Sequence, residues 1–139
     1  MPDIFSLQRF VDAQALVYAQ VCSELANGRK ASHWMWFVFP QIKGLGHSAM
    51  ADRYAITSRQ EAEAYASHAV LGPRLRECTG LVNAVEDRSI RQILGTPDDL
   101  KFHSSMTLFA QVCKDNQPFV DAINKYFDGN VDSLTIDRL

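Results

Sequence analysis

Residues 33–40 read His33-Trp34-Met35-Trp36-Phe37-Val38-Phe39-Pro40, and the fold class turns on whether this run is strand or helix. It is apolar on every side, with no period of 2 or 3.6, so burial all round is expected. Periodicity does not separate a buried strand from a buried helical segment. Aromatic and β-branched content favours strand. Ser32 in the cap position and helical patterns on both flanks favour helix. Helix is preferred and strand stays open; Pro40 ends either element.

Working outward, the flanks carry helix signals. Ser6 is placed to cap a helix reaching about Asn27-Gly28. Leu7, Phe10, Val17, Val21 and Leu25 lie near one of its faces, and Gly28 is placed to stop it. Ser48 caps a short helix through Tyr54, and Ser58 with Glu61 forms a capping box for a helix ending near Ser67-His68. Pro73 suits the first turn of a helix with the stripe Leu71, Leu75, Cys78, Val82 and Val85. Ser89 caps a short helix that Gly95 stops. Thr96-Pro97-Asp98-Asp99 combines a cap, an N1 proline and two carboxylates at the positive end of a helix dipole, and that helix runs to Cys113. Asn116 or Gln117 opens another, Gly129 ends it, and Thr135 is placed to cap a final turn. Strands nowhere alternate with helices as a parallel sheet requires. The expected fold is therefore all-α, one compact domain over residues 1–139 with about seven helices.

At 139 residues the chain has the size of one domain and needs no metal or disulfide staple to build a core. A formal net charge of −2 supplies no global basic field for nucleic acid or anionic lipid. Cys22, Cys78 and Cys113 are odd in number and form no CxxC pair, so they read as core thiols and not as a disulfide framework or zinc site. No metal and no cofactor is expected. The longest apolar run, Trp34 to Phe39, is far short of a bilayer span, and the N-terminus lacks the pattern of a signal peptide. The expected location is cytoplasmic.

Chemistry is expected around residues 32–48, which hold both tryptophans and two of the four histidines. Trp34 and Trp36 offer flat apolar walls, while His33, Gln41, Lys43 and His47 add polar groups, the usual make-up of a small-molecule pocket. The plainer alternative is that the aromatics nucleate the core and the histidines are exposed or structural. Gly44-Leu45-Gly46-His47-Ser48-Ala49 formally matches a dinucleotide fingerprint, but the required βαβ context is missing. Two glycines beside Lys43 could still offer N–H groups to an anion; an ordinary turn explains them more simply. On a helix Lys101 shares a face with Ser104 and Ser105, so it could assist a hydroxyl or, more simply, bind an anion. The bland reading has each serine bonded to a carbonyl one turn back and Lys101 in water.

SHWMWFVFPQIKGLGHS (residues 32–48), YAITSRQEAEAY (54–65), LGPRLRECT (71–79) and TPDDLKFHSSMTLFAQV (96–112) together resemble the bacterial and fungal domain-of-unknown-function family 1810. Its members are often labelled calpastatin. The resemblance covers nearly the whole chain and implies an all-α globular fold, with no activity, cofactor or catalytic residue attached. The calpain inhibitor of that name is long, disordered and repetitive, the opposite of this aromatic-rich, capped chain.

Three functions compete. The first is binding of a small anionic or nucleotide-like ligand between the 33–47 segment and the helix of Lys101, Ser104 and Ser105, with metal-independent hydrolysis or transfer as its enzymatic version and His33 or His47 as acid or base. The second is a protein-interaction domain, which predicts an exposed apolar patch. The third is nucleic-acid binding, resting on scattered cations such as Arg29, Lys30, Arg53, Arg59, Arg74 and Arg76, against the acidic balance of the chain.

Overall fold

The computed structural model describes residues 3–139. Among these residues the chain forms ten helices: α1 (Gln8–Ala15), α2 (Tyr18–Ala26), α3 (Met35–Val38), α4 (Ala49–Arg53), α5 (Arg59–Ser67), α6 (Leu71–Ala84), α7 (Ile90–Leu94), α8 (Asp98–Val112), α9 (Gln117–Phe127) and α10 (Ser133–Asp137). The all-α expectation holds. The count rises from about seven to ten because the first long helix is two and the short turns α3 and α10 are helices in their own right. Its break lies at Leu16-Val17, where the Val17 N–H bonds the Gln14 carbonyl three residues back at 3.0 Å and Val17 leaves helical geometry. No glycine or proline marks the spot. The break lets Gln14 turn inward, donating to the Phe37 carbonyl at 2.7 Å, while Val21 and Leu25 of α2 bury independently.

The decisive run forms a single helical turn, α3, and no strand exists among the described residues. Ser32 does not cap it: Trp34 holds the cap position, and the Ser32 side chain is engaged by Glu24. One parallel bridge, Ile42 with Ile56, fixes the loop after Pro40 through Lys43 N–H to Ile56 O and Ile56 N–H to Gln41 O, both 2.8 Å.

Local signals explain most of the other boundaries. Ser48, Ser58 and Ser89 each accept a bond from the N–H three residues on. Gly28 and Gly95 end helices with positive φ. Four starts differ from expectation. Ser6 itself has φ of +53°, and the Asp3 carboxylate caps α1 through Leu7 N–H at 2.7 Å and Gln8 N–H at 2.9 Å. Glu61 does not return to Ser58; it accepts from the Thr57 N–H and hydroxyl and pairs with Arg9 at 3.0 Å. Pro97, not Thr96, holds the cap position of α8, after a cis Thr96–Pro97 peptide. Thr135 lies inside α10, and Asp132 stands at its cap.

The core is aromatic. Phe10 meets Tyr65 edge-on at 5.0 Å and Phe39 meets Phe102 edge-on at 5.0 Å, joining α1 to α5 and the α3 segment to α8. Cys78 is buried; Cys22 and Cys113 are half-buried. Burial pushes all three thiols up, Cys78 to about 12, which favours the protonated form.

Candidate functional site

Glu24 of α2 organises the first half of the tryptophan segment. One of its oxygens, Oε1, accepts from Ala31 N–H at 2.7 Å, Ser32 N–H at 3.0 Å and Trp34 Nε1–H at 2.9 Å. The other accepts from the Ser32 hydroxyl at 2.6 Å and from Gln20. Burial acts to raise this carboxyl, but the Ser32 hydroxyl, the Ala31 N–H and the indole N–H outweigh it and hold it down at about 2. Trp34 is 1% exposed. It is a core residue and does not reach a cleft. Lys30 lies over its ring at 5.1 Å and pairs with Asp98 Oδ2 at 2.9 Å.

Two residues on, Trp36 is only half-buried. Lys101, on the first turns of α8, sits over its ring at 4.8 Å and pairs with the other oxygen of Asp98 at 3.2 Å. Beside this pair opens a cleft of about 460 Å³. The loop after Pro40 contributes Gln41, Leu45 and Gly46. Helix α8 contributes Leu100, Lys101, His103 and Ser104, with Pro97 just before it. Asp132 and Leu134 come from the start of α10. Leu100 and Leu134 are each 61% exposed.

The wall formed by α10 is held by hydrogen bonds. The Ser104 hydroxyl faces Asp132 Oδ2 at 2.8 Å and the Leu100 carbonyl at 3.2 Å. Thr135 donates to the same Asp132 oxygen at 2.7 Å, and Asp132 N–H donates to the Thr107 hydroxyl at 2.9 Å. Burial acts to raise Asp132, yet the Thr135 and Ser104 hydroxyls prevail and its carboxyl sits below the ordinary range, so it stays charged. His103 stacks on Phe127 at 4.0 Å, and its Nε2 lies 2.6 Å from the Asn130 carbonyl. Ser104, His103 and Asp132 are neighbours without forming a nucleophile–base pair. The serine proton points to an acid oxygen or a carbonyl, and the imidazole nitrogen is engaged elsewhere.

The expected site residues therefore separate. Gln41, Lys101 and Ser104 meet in the cleft, with Trp36 under Lys101. Trp34 is interior. Ser105 is fully buried and its hydroxyl has no partner among the described residues. His33, Lys43 and His47 are exposed and do not line the cleft. Gly44 serves a positive φ and Gly46 serves clearance. A Cβ on Gly44, at φ +99°, would lie 2.5 Å from the Arg138 guanidinium, and one on Gly46 would lie 2.6 Å from the Ala51 methyl. Asp132 and His103 were not anticipated. Asp132 before Ser133-Leu134-Thr135 is a local cap signal, but its pairing with Ser104 across 28 residues has no local trace. Among the described residues no three His, Cys, Asp or Glu side chains gather as a metal site, and no helix is long and apolar enough to cross a membrane.

No curated protein matches the chain. Among solved structures, the crystal structure of the conserved hypothetical protein Rv1873 from Mycobacterium tuberculosis is similar at 58% identity and a TM-score of 0.97, over 99% of this chain and 98% of that one. A family model described as "Protein of unknown function (DUF1810)" matches residues 4–139. With family, length and backbone in agreement, the chain belongs to the DUF1810 family, as the tryptophan segment and the α8 block together suggest.

Proposed function

We propose that the cleft between the 41–46 loop, α8 and α10 is a reversible binding site for a small organic anion. The observation that supports it is the convergence of Gln41, Lys101 and Ser104, from two distant stretches of chain, on one concavity of about 460 Å³, within the usual size of ligand pockets. Lys30 and Lys101 share the single carboxylate of Asp98, so the Lys101 ammonium is only partly neutralised at its end of the cleft, with the Asp132 carboxylate at the other. Binding, not group transfer, fits the committed Ser104 proton and the engaged His103 ring. The other cations are dispersed: Arg74 lies on Tyr18, Arg76 on Phe119, and Arg59 pairs with Glu63.

Thermal-shift screening against acidic metabolites, nucleotides and ADP-ribose tests the reading. A ligand at about 100 times its Kd stabilises by roughly 2.7 kcal/mol, several degrees in Tm. The expected result is a saturable rise that is lost in Lys101→Gln. A screen with no Lys101-dependent shift would sink the proposal. A second reading, docking of a protein segment, draws on the exposure of Leu100 and Leu134 at the rim. It predicts a stoichiometric partner in pull-down that Leu134→Ser releases.

A further inference from the structure

The walls of this cleft narrow the class of anion, and the inference rests on the binding reading above. We infer that the ligand is an aliphatic amphiphile with a single acidic head, a medium-chain carboxylate in type, and not a nucleotide. Leu45, Pro97, Leu100 and Leu134 make aliphatic walls, and two of these leucines are left 61% exposed. Covering them releases apolar surface from water, which a hydrocarbon tail does and a sugar or phosphate does not. A nucleobase needs a free ring to stack on. Trp34 is sealed, Trp36 carries Lys101 at 4.8 Å and does not line the cleft, and among the described residues the one ring that does, His103, is already stacked on Phe127 and leaves a single imidazole face.

Charge points the same way. Lys101 offers one cation at the α8 end, while Asp132, a carboxylate held by two hydroxyls, lies at the α10 end. Ser104 is one helical turn from Lys101 and bonds Asp132, so the Asp132 carboxylate, reaching across from the start of α10, lies about one turn along α8 from Lys101. A chain of phosphates reaching past Lys101 would meet Asp132 and be repelled. One acidic head fits at Lys101, with Gln41 as a neighbouring amide, and its tail then runs along Leu100 and Leu134.

Isothermal titration of octanoate, octanamide and AMP into the wild type, Lys101→Gln and Leu134→Ser tests this, with circular dichroism checking that each variant is folded. Octanoate is expected to bind about tenfold tighter than octanamide, the worth of one hydrogen bond to a charged group. Lys101→Gln removes that preference, and Leu134→Ser weakens acid and amide by a similar factor. Along a series of carboxylates, affinity rises roughly fourfold per methylene until the cleft is full. Equal binding of acid and amide overturns the acidic head. Tighter, Lys101-dependent binding of AMP overturns the amphiphile and keeps the cleft as a site. Failure of all three to bind overturns the amphiphile, and an empty wider screen then removes the binding reading as well.

Discussion

Trp34 and Trp36 lie two residues apart, each beneath a lysine ammonium, and the two lysines hold opposite oxygens of Asp98. One half of this arrangement is sealed and the other opens on a cleft. The difference comes from a third group. Glu24, arriving on α2, accepts the Trp34 indole and stitches Ala31 and Ser32 over it, whereas beside Trp36 the chain turns away into a loop pinned by the Ile42–Ile56 bridge. The same residue pair is thus structural where a carboxylate closes it in and available where none does.

The largest expected effect breaks the sealed side. Glu24→Ala leaves the buried Trp34 indole N–H and several part-buried donors without their acceptor and costs about 2–3 kcal/mol in urea unfolding. The pH dependence has a definite sign. The folded carboxyl sits at about 2 against an ordinary 4.5. Its contribution is complete above 4.5 and fades as pH falls toward 2. The stability gap between wild type and Glu24→Gln therefore narrows over that window, and a gap independent of pH would refute the assignment. Next, Trp34→Phe costs about 2 kcal/mol and Trp36→Phe under about 1, by paired Tm measurements; equal losses would erase the contrast between the two halves.

Smaller effects sharpen the joint between the halves. Asp98→Asn strands Lys30, whose side chain is 8% exposed, and costs about 1–3 kcal/mol. It also frees Lys101 from a competitor, so octanoate affinity is expected to rise. Lys101→Gln, at a side chain 23% exposed, changes stability by less than about 1 kcal/mol while abolishing the preference for acid over amide. A large stability loss there, with the preference kept, would make Lys101 a structural residue.

What the sequence made legible was local. Ser48, Ser58, Ser89, Gly28 and Gly95 act within three residues of themselves, so their caps and stops could be read directly. The break at Leu16-Val17 could not be, because no breaker residue marks it and the contact that accompanies it, Gln14 to the Phe37 carbonyl, spans 23 residues. Trp34 and Trp36 looked alike for the same reason: the group that separates them, Glu24, is on another helix. Lys101 and Ser104 were legible as one helix face. Asp132 and His103 were not, since their roles depend on how α10 and the Asn130 carbonyl fold back on α8.

Asp98 has a further consequence. An acid that draws Lys101 away leaves the whole carboxylate to Lys30, whose ammonium lies over the Trp34 ring. Lys30 would then be held more firmly over Trp34. Occupancy of the groove would then be written into the emission of an indole that no ligand touches, giving the protein an optical gauge of its own.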